Sequence, residues 1–349
     1  MRRIKVVQIG IGHDHGPGAL VAMKDHPEVF DLQGIVIPEH EKAILGEYYD
    51  KALSGVKQLT MEEAMAIPGL EAAVVEVVDD RLNEFAQIAA DHKLHIQMDK
   101  PGSPDPESFE RMVATQKKNG KIFHMGYMYR YNPAIMKLME DVRAGRLGDI
   151  LSVEAHMSCK HKPEKREWIG TYPGGMMHYL GCHLIDLIVQ LQGVPEEIIP
   201  LNTATGVEGV NAVDFGMAVL RYPNGVSFAK SSAYEINGYY RRQLVVSGSL
   251  GTVELKPLEY YGEGTSQLPL YTGVSETYLA DTEGMKWKNV AKTYDTDVYD
   301  RYDAMMQSFA AMVRGEKENP VSYEYEVQLY RILLAACGVD VDYKKKIIL

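Results

Sequence analysis

The sequence contains little cysteine. Three cysteines, Cys159, Cys182 and Cys337, occur among 349 residues, and they are odd in number and far apart. Such a set favours neither a disulfide framework nor a cysteine-based zinc site. Unpaired thiols are typical of a reducing compartment, so we expect a cytoplasmic protein.

Long apolar runs and basic clusters are missing as well. No stretch approaches the roughly 18 apolar residues of a membrane span, so we expect no membrane insertion. The net charge of −11, without a lysine or arginine run, weighs against nucleic acid or an anionic membrane as the partner. Met1–Val7 passes directly into a strand pattern, so we expect no signal peptide. The length suggests two domains of about 100–200 residues each.

Strand and helix patterns alternate through residues 1–125, which predicts an α/β domain with a doubly wound parallel sheet. Thr60 with Glu63 forms a capping-box signature for a short helix. The predicted strands are Ile4–Ile9, Leu32–Ile37, Ala72–Val78, Leu94–Met98 and Ile122–Met125, and the main helices are Ala19–Asp25, Leu82–His92 and the segment from Asp105 to Gly120.

Residues 126–349 have a different pattern, in which alternating strands are separated by turn signals such as Pro223-Asn224-Gly225. This pattern predicts an α+β domain with a large, open, mostly antiparallel sheet. The helix Gly174–Gln192 and two closing helices, near Tyr299–Arg314 and Tyr323–Cys337, accompany it. Helices must cover one face of such a sheet, and the other face often meets a second subunit.

A glycine-rich turn, Gly10-Ile11-Gly12-His13-Asp14-His15-Gly16, follows the first strand. Gly10 permits a tight turn, Gly12 lets a pyrophosphate approach the backbone, and the next helix supplies amide donors. His15 stands at the third glycine position of the usual fingerprint. His13 and His15 lack a third ligand, so we expect no metal. The alternative is an ordinary strand-to-helix turn.

The second strand ends without the usual acidic residue for the adenosine ribose. Ile37 stands at that position, and Glu39 is the nearest acidic substitute. No arginine stands there to receive a 2′-phosphate, which favours NAD over NADP.

Lys100 follows the fourth strand in Met98-Asp99-Lys100-Pro101, at the sheet edge where ligands bind in open α/β folds. A lysine ammonium suits a reacting hydroxyl beside a nicotinamide, and desolvation can bring lysine pKa values toward the working range. The alternative is a surface lysine on a loop. Farther along, Arg130 precedes a helix that Pro133 can open, and it is a candidate bridge between cofactor and substrate regions.

The helix Gly174–Gln192 concentrates polar groups on one stripe. At about 100° per residue, Tyr179, His183, Asp186 and Gln190 fall together beside an apolar arc, whereas His178 points away from His183. A stripe that places a phenol, an imidazole and a carboxylate side by side is suited to a catalytic site. A core helix with one satisfied histidine is the alternative.

In combination these features resemble the Gfo/Idh/MocA oxidoreductases, which include glucose–fructose oxidoreductase and inositol dehydrogenases. The resemblance covers nearly the whole chain. It rests on Gly10-x-Gly12, Asp99-Lys100-Pro101 in place of Glu-Lys-Pro, Arg130-x-Asn132-Pro133, and Gly174-Gly175 followed by His183-x-x-Asp186. It implies a Rossmann domain over residues 1–125, a substrate-binding and oligomerisation domain over 126–349, a nicotinamide cofactor, a sugar or polyol substrate, and a homo-oligomer, dimer or tetramer, formed through the open sheet.

The resemblance also implies roles for single residues. Lys100 matches the lysine that contacts the reacting hydroxyl, and His183 matches the catalytic histidine. Tyr179 stands where inositol dehydrogenase-like members often have aspartate, and its hydroxyl can relay a proton. Asp186 either orients His183 or is a structural residue beneath the helix.

Further positions are assigned to the cofactor and substrate sides. The Asn-x-x-His that often follows the third strand is absent, and Asp79 stands in that segment, on the cofactor side. Tyr127 and Trp168 are expected at the substrate, and internal packing is the alternative for Tyr127. For Trp168 the alternatives are stacking on a sugar ring, internal packing and a subunit interface.

Three hypotheses of function follow. The leading one is an NAD(H)-dependent dehydrogenase that oxidises a secondary hydroxyl of a sugar, cyclitol or glycoside, with hydride passing to the nicotinamide, the proton to His183, and Lys100 positioning the oxygen. The second is a glycoside-cleaving or epimerising enzyme that uses tightly bound NAD transiently. The third is a non-catalytic regulator that senses a dinucleotide or a sugar.

Overall fold

The computed structural model describes residues 2–262, 270–282 and 290–349. The chain divides into two compact units. The first contains Met1–Met128, Tyr302–Tyr330 and Lys346–Leu349, and the second contains Tyr129–Arg301 and Arg331–Lys345. The division at residue 125 that the sequence suggested stays a prediction.

The centre of the first unit is a six-stranded sheet in which every pairing is parallel. The strands are β1 (Ile4–Ile9), β2 (Phe30–Val36), β3 (Gln58–Leu59), β4 (Ala72–Val75), β5 (His95–Met98) and β6 (Phe123–Met125), and the helices are α1 (Gly16–Asp25), α2 (Glu47–Leu53), α3 (Met61–Met65), α4 (Leu82–Asp91) and α5 (Pro106–Asn119). The strand order is β3-β2-β1-β4-β5-β6. β4 is buried along its whole length, as expected when helices cover both faces of a parallel sheet.

Local signals in the sequence explain two of these helices. Thr60 and Glu63 form the predicted capping box, with the Glu63 N–H donating to Thr60 Oγ1 at 3.1 Å and the Thr60 N–H donating to the Glu63 carboxylate at 2.7 Å. α5 begins after Asp105, whose carboxylate caps the first turn, and ends at Gly120, which has a φ of +63°. Both predictions are confirmed, because each depends on groups within one turn of the chain.

The second unit is built on an eight-stranded sheet in which, over the described residues, β7 and β10 form the only parallel pair. Its strands are β7 (Ile150–His156), β8 (Glu197–Pro200), β9 (Phe215–Tyr222), β10 (Gly225–Ser232), β11 (Gln243–Gly248), β12 (Gly251–Leu255), β15 (Gly273–Tyr278) and β16 (Lys292–Asp295), with β13 (Tyr260–Tyr261) and β14 (Leu270–Tyr271) paired separately, and its helices are α6 (Pro133–Arg143), α7 (Pro163–Ile169) and α8 (Cys182–Gln192). The order is β16-β15-β12-β11-β7-β10-β9-β8. α8 packs against β7 and β10.

Two more helices follow, α9 (Asp303–Val313) and α10 (Tyr323–Ala336). The α/β class is confirmed: a doubly wound parallel sheet is followed by a large, mostly antiparallel one. Along the described ranges, no helix has both the length and the apolar character that crossing a membrane requires.

Candidate active site

The glycine-rich turn begins directly after β1. Gly10 has a φ of +81°, and a Cβ atom there would lie 2.4 Å from Val77 Cγ1, so the turn accepts glycine alone. The Gly10 N–H donates to the Val36 carbonyl at 2.7 Å, which fixes the turn to the end of β2. The structure therefore requires glycine where the sequence predicted a tight turn.

The backbone N–H groups after Gly10 donate to a buried carboxylate. Ile11 and Gly12 donate to Glu41 Oε2 at 2.8 and 3.1 Å, and the Val78 N–H donates to Glu41 Oε1 at 2.8 Å. Converging backbone amides of this kind form an anion site. Sequence analysis missed Glu41, because its partners lie about thirty or more positions away along the chain and no local spacing connects them.

Asp99 holds both turn histidines in what we call the histidine–aspartate cluster (His13, His15 and Asp99). The Nδ1 atoms of His13 and His15 lie 3.4 and 3.1 Å from Asp99 Oδ2. The His15 backbone N–H donates to His13 Nδ1 at 3.2 Å. One possible ligand atom from each side chain lies within 4.8 Å of the others, so Asp99 offers the third ligand atom that the sequence did not reveal. The expectation of no metal stays a prediction.

Electrostatics in the cluster separate the two histidines. Burial lowers the pKa of both, but for His13 the charges of Asp99 and Asp79 outweigh burial and raise the pKa above its usual value. For His15 burial prevails, and the pKa is lowered. Burial would raise the pKa of Asp99, but the two histidines hold it below its usual range. The cluster therefore favours a charged Asp99 and separates the two histidines, because the pKa of His13 lies above its usual value and that of His15 lies below it.

Lys100 lies at the carboxyl end of β5, the sheet edge that the sequence predicted. It is only 2% exposed. Its backbone N–H donates to Asp99 Oδ1 at 2.6 Å, and its side-chain charge lowers the pKa of Asp99. Asp79 adjoins the same cluster, with Oδ1 3.5 Å from His13 Nε2. Tyr127 is buried just after β6, and its N–H donates to the Met125 carbonyl at 2.8 Å.

Glu39, by contrast, lies at the surface. Its side chain is 87% exposed and pairs with Lys42 at 2.5 Å. Both residues line a cavity of about 880 Å³ that Arg81 also reaches. Arg81 follows β4, not β2, so the pattern at the end of β2 did not reveal this candidate for a 2′-phosphate. Arg81 binds Glu84 with two 2.6 Å hydrogen bonds.

In the second unit, one turn of π-helix, Met177–Gly181, precedes α8. A π turn changes the angle between successive side chains, so the predicted 100° spacing does not hold from Tyr179 to His183. His183 is buried, with its ring edge-on to Tyr129 at a centroid distance of 5.0 Å. His178 instead stacks on Tyr172 at 5.4 Å. The two histidines thus have different neighbours.

Asp186 is held by two side chains. Arg130 donates from Nε to Asp186 Oδ2 at 3.0 Å and from Nη2 to Oδ1 at 2.8 Å, and Gln190 Nε2 donates to Oδ2 at 2.9 Å. The Arg130 and Asp186 side chains are 7% and 1% exposed. Of the two alternatives for Asp186, this geometry supports the structural one. Arg130, predicted as a cofactor bridge, anchors α8 through this pair.

Tyr179 belongs to an aromatic corner that also contains Trp168 and Lys165. The Trp168 and Tyr179 rings meet edge-on at 5.7 Å. Lys165 Nζ lies 4.0 Å from the centroid of Trp168 and 4.9 Å from that of Tyr179. The cation–π contacts and the edge-to-face contact position all three side chains, so the corner is preformed. Tyr179 is only 5% exposed. The expected role of Tyr179 and Trp168 at the substrate stays a prediction.

A buried ionic network supports Tyr129 behind His183. The Tyr129 hydroxyl donates to Glu259 Oε2 at 2.7 Å and accepts from Arg242 Nη1 at 2.9 Å, while Arg301 Nε donates to Glu259 Oε1 at 2.9 Å. Burial, followed by the charge of Glu259, raises the pKa of Tyr129 well above its usual value. Sequence analysis missed this network because its members lie far apart along the chain.

Two family models match the chain. Residues 4–127 match the oxidoreductase family with an NAD-binding Rossmann fold, and residues 135–254 match the Gfo/Idh/MocA C-terminal domain. Together they cover more than half of the sequence.

Individual relatives are distant but span most of the chain. D-xylose 1-dehydrogenase (NADP⁺) 2 from Haloferax volcanii is 24% identical over 315 residues, 86% of this chain and 90% of the relative. Inositol 2-dehydrogenase 2 from Saccharopolyspora erythraea is 23% identical over 265 residues, 73% and 70% of the two chains. A levoglucosan dehydrogenase, solved with NADH and levoglucosan, shares the fold with a TM-score of 0.76 at 16% identity, over 97% of this chain and 96% of that one. The chain therefore belongs to the Gfo/Idh/MocA oxidoreductase family, with a Rossmann NAD(P)-binding domain in its first part.

Proposed function

We propose that the protein is an NAD(H)-dependent dehydrogenase that oxidises a secondary hydroxyl of a sugar, cyclitol or glycoside. The observation that carries the proposal is Lys100, a lysine only 2% exposed at the carboxyl end of β5. Buried lysines are rare without a charged partner, and Lys100 follows Asp99 directly in the motif shared with the family. Relatives named as xylose and inositol dehydrogenases support the substrate class.

The donor chemistry of the glycine-rich turn fits a dinucleotide. The amides of Ile11 and Gly12 both point at one anionic group, here the Glu41 carboxylate, and a diphosphate oxygen would use the same donors. Gly12 would let the diphosphate approach the backbone, while Gly10 shapes the tight turn against Val77. When bound, the nicotinamide supplies hydride acceptance.

Each of the remaining side chains has a separate role in the proposed reaction. The Lys100 ammonium holds the reacting oxygen and favours its negative charge as the proton leaves. A ring nitrogen of His183 takes that proton as general base. The hydroxyl carbon gives up a hydride and becomes a carbonyl, so one alcohol and one oxidised dinucleotide yield one ketone, one reduced dinucleotide and a protonated His183. The Arg130–Asp186 pair fixes the helix that carries His183, and the aromatic corner contributes the sugar-packing surface.

NAD is our proposed cofactor, since Glu39 is the acidic residue nearest the end of β2. Lys42 and Arg81 line the same cavity, and the Haloferax relative is named for NADP⁺. Any assay therefore has to compare the two cofactors side by side.

The test is a turnover assay with NAD⁺ and with NADP⁺ on a panel of aldoses, polyols, cyclitols and glycosides, monitored by reduced-nicotinamide absorbance. We expect Lys100→Met and His183→Ala to lower kcat by about 10²–10⁴-fold, with dinucleotide affinity little changed. Lys118→Met, an exposed lysine on α5, is the matched control and should keep full activity. Near-normal turnover of His183→Ala would remove His183 from the mechanism. Nucleotide that leaves only on denaturation, without net cofactor turnover, would favour the transient-redox hypothesis instead.

A further inference from the structure

The Glu41 carboxylate lies where converging backbone amides could hold a bound anion. The Glu41 side chain is fully buried, and its carboxylate accepts three backbone hydrogen bonds, from Ile11 and Gly12 of the glycine-rich turn and from Val78 after β4. The first two donors belong to the glycine-rich turn, whose backbone a dinucleotide diphosphate approaches in this fold. A Cβ atom on Gly12 would lie 2.6 Å from Glu41 Oε1, so the carboxylate also fills the space that Gly12 leaves open.

The acceptor capacity of Glu41 argues against a simple role as the ribose ligand. A carboxylate offers about four lone-pair sites. Oε2 already takes two N–H groups and Oε1 takes one. A ribose diol needs two acceptors, so Glu41 cannot bind both hydroxyls while it keeps its three amides.

The segment that carries Glu41 is lightly anchored. Glu41 lies in a short 3₁₀ helix, Glu39–Ile44, called the Glu41 turn below, and is the only buried residue among the described positions 39–46. Ile44 is 44% exposed, so the turn packs little apolar surface against the unit. His40 adds surface contacts to Arg81, at 3.5 Å between Nη1 and Nδ1, and to the Phe85 ring, at a centroid distance of 5.9 Å. The Glu41 carboxylate is the buried attachment of the Glu41 turn, and moving the Glu41 turn would expose little apolar area.

From this arrangement we infer that Glu41 is an internal competitor for the dinucleotide site: its carboxylate and the diphosphate of a dinucleotide use the same amides, and the dinucleotide binds after the carboxylate has left them. The inference rests on the proposed dinucleotide-dependent function. On this inference the Glu41 turn moves when the dinucleotide binds. The affinity for the cofactor then depends on how strongly the backbone amides bind the Glu41 carboxylate.

The first test measures the Kd of NADH, NADPH and inorganic pyrophosphate for the wild type, Glu41→Gln and Glu41→Ala. Glu47→Gln, which removes an exposed charge at the start of α2, is the matched control. When the Glu41 carboxylate holds the amides, only the fraction of molecules in which it has left can bind a ligand, and the apparent Kd rises in inverse proportion to that fraction. We therefore expect Glu41→Ala to bind the favoured dinucleotide and pyrophosphate at least about tenfold more tightly than the wild type. Glu47→Gln should match the wild type. Glu41→Gln keeps the size of the side chain, so it serves if the alanine variant unfolds.

A second readout follows hydrogen–deuterium exchange of the segment 38–46 in the wild type with saturating NADH. Faster exchange on binding is the expected result, because the segment loses its attachment when the Glu41 carboxylate leaves the amides of Ile11, Gly12 and Val78. Slower exchange, together with unchanged or weaker binding by the Glu41 variants, would overturn the inference and leave the proposed function standing. If neither the wild type nor the variants bind NADH or NADPH, the proposed function falls, and the inference falls with it.

Discussion

The Arg130–Asp186 pair yields the sharpest stability prediction. The two side chains share hydrogen bonds of 2.8 and 3.0 Å and are 7% and 1% exposed, so Asp186→Asn would leave the Arg130 guanidinium buried beside a neutral amide. Breaking a buried pair on one side costs about 3–5 kcal/mol of folding free energy. In a domain of 150–250 residues that corresponds to a fall in Tm of about 10 °C.

The assay is urea denaturation followed by far-ultraviolet circular dichroism, applied as a double-mutant cycle. Asp186→Leu and Arg130→Met should each destabilise the protein, as should Asp186→Asn, whereas the combined Arg130→Met/Asp186→Leu variant, which closes the cycle, should recover most of the loss, because no buried charge is left alone. A cost below about 1 kcal/mol for Asp186→Asn, typical of an exposed pair, would refute the reasoning. A large loss of kcat at unchanged stability would instead favour the orienting role of Asp186 toward His183.

Three other perturbations follow from the first unit. Gly10→Ala should destabilise by about 1–3 kcal/mol and lower dinucleotide affinity, since its Cβ would lie 2.4 Å from Val77; wild-type stability and binding would contradict the positive-φ requirement. Burial, assisted by the charge of Lys121, lowers the pKa of His95 to about 4, and the neutral ring accepts the Ile122 N–H at Nδ1. The neutral histidine therefore contributes its full share of the folding free energy above the unfolded pKa of about 6.5. This share is lost as the pH falls from about 6.5 toward 4. After allowance for solvent screening the loss near pH 5 is about 1 kcal/mol, and His95→Gln should flatten that part of a stability-against-pH curve; an unchanged curve would show that His95 does not contribute. Treatment with EDTA should leave turnover intact, and activity that falls and returns with added Zn²⁺ would instead place a metal at the histidine–aspartate cluster.

Local chemistry explains which elements the sequence predicted well. The capping box at Thr60 and the α5 boundaries at Asp105 and Gly120 depend on neighbouring residues, and both were predicted correctly. β1 matched its predicted bounds because one buried apolar run defines it. The predicted strand Ala72–Val78 is shorter in the structure, ending at Val75, since the backbone after it turns toward Glu41.

The site was predicted less completely, for physical reasons. The π turn before α8 altered the helical spacing, and a periodicity argument assumes a regular helix. Glu41 and Glu259 act through partners distant in sequence, as Asp99 does toward the two turn histidines. Such contacts depend on how strands and loops assemble, and no local pattern in a single sequence encodes them. The roles of Lys100, His183 and Tyr179 stay predictions until they are tested by substitution.

Dinucleotide binding tests the central claim most directly. Protein stripped of nucleotide would be titrated with NAD⁺, NADH, NADP⁺ and NADPH in a thermal-shift assay, and the absorbance of any released material recorded. A ligand at 100 times its Kd adds about 2.7 kcal/mol, which raises the midpoint by several degrees. The account predicts such a shift with NAD⁺ or NADH, and a smaller shift with NADP⁺ or NADPH. No shift with any of the four, and no nucleotide released on denaturation, would contradict it.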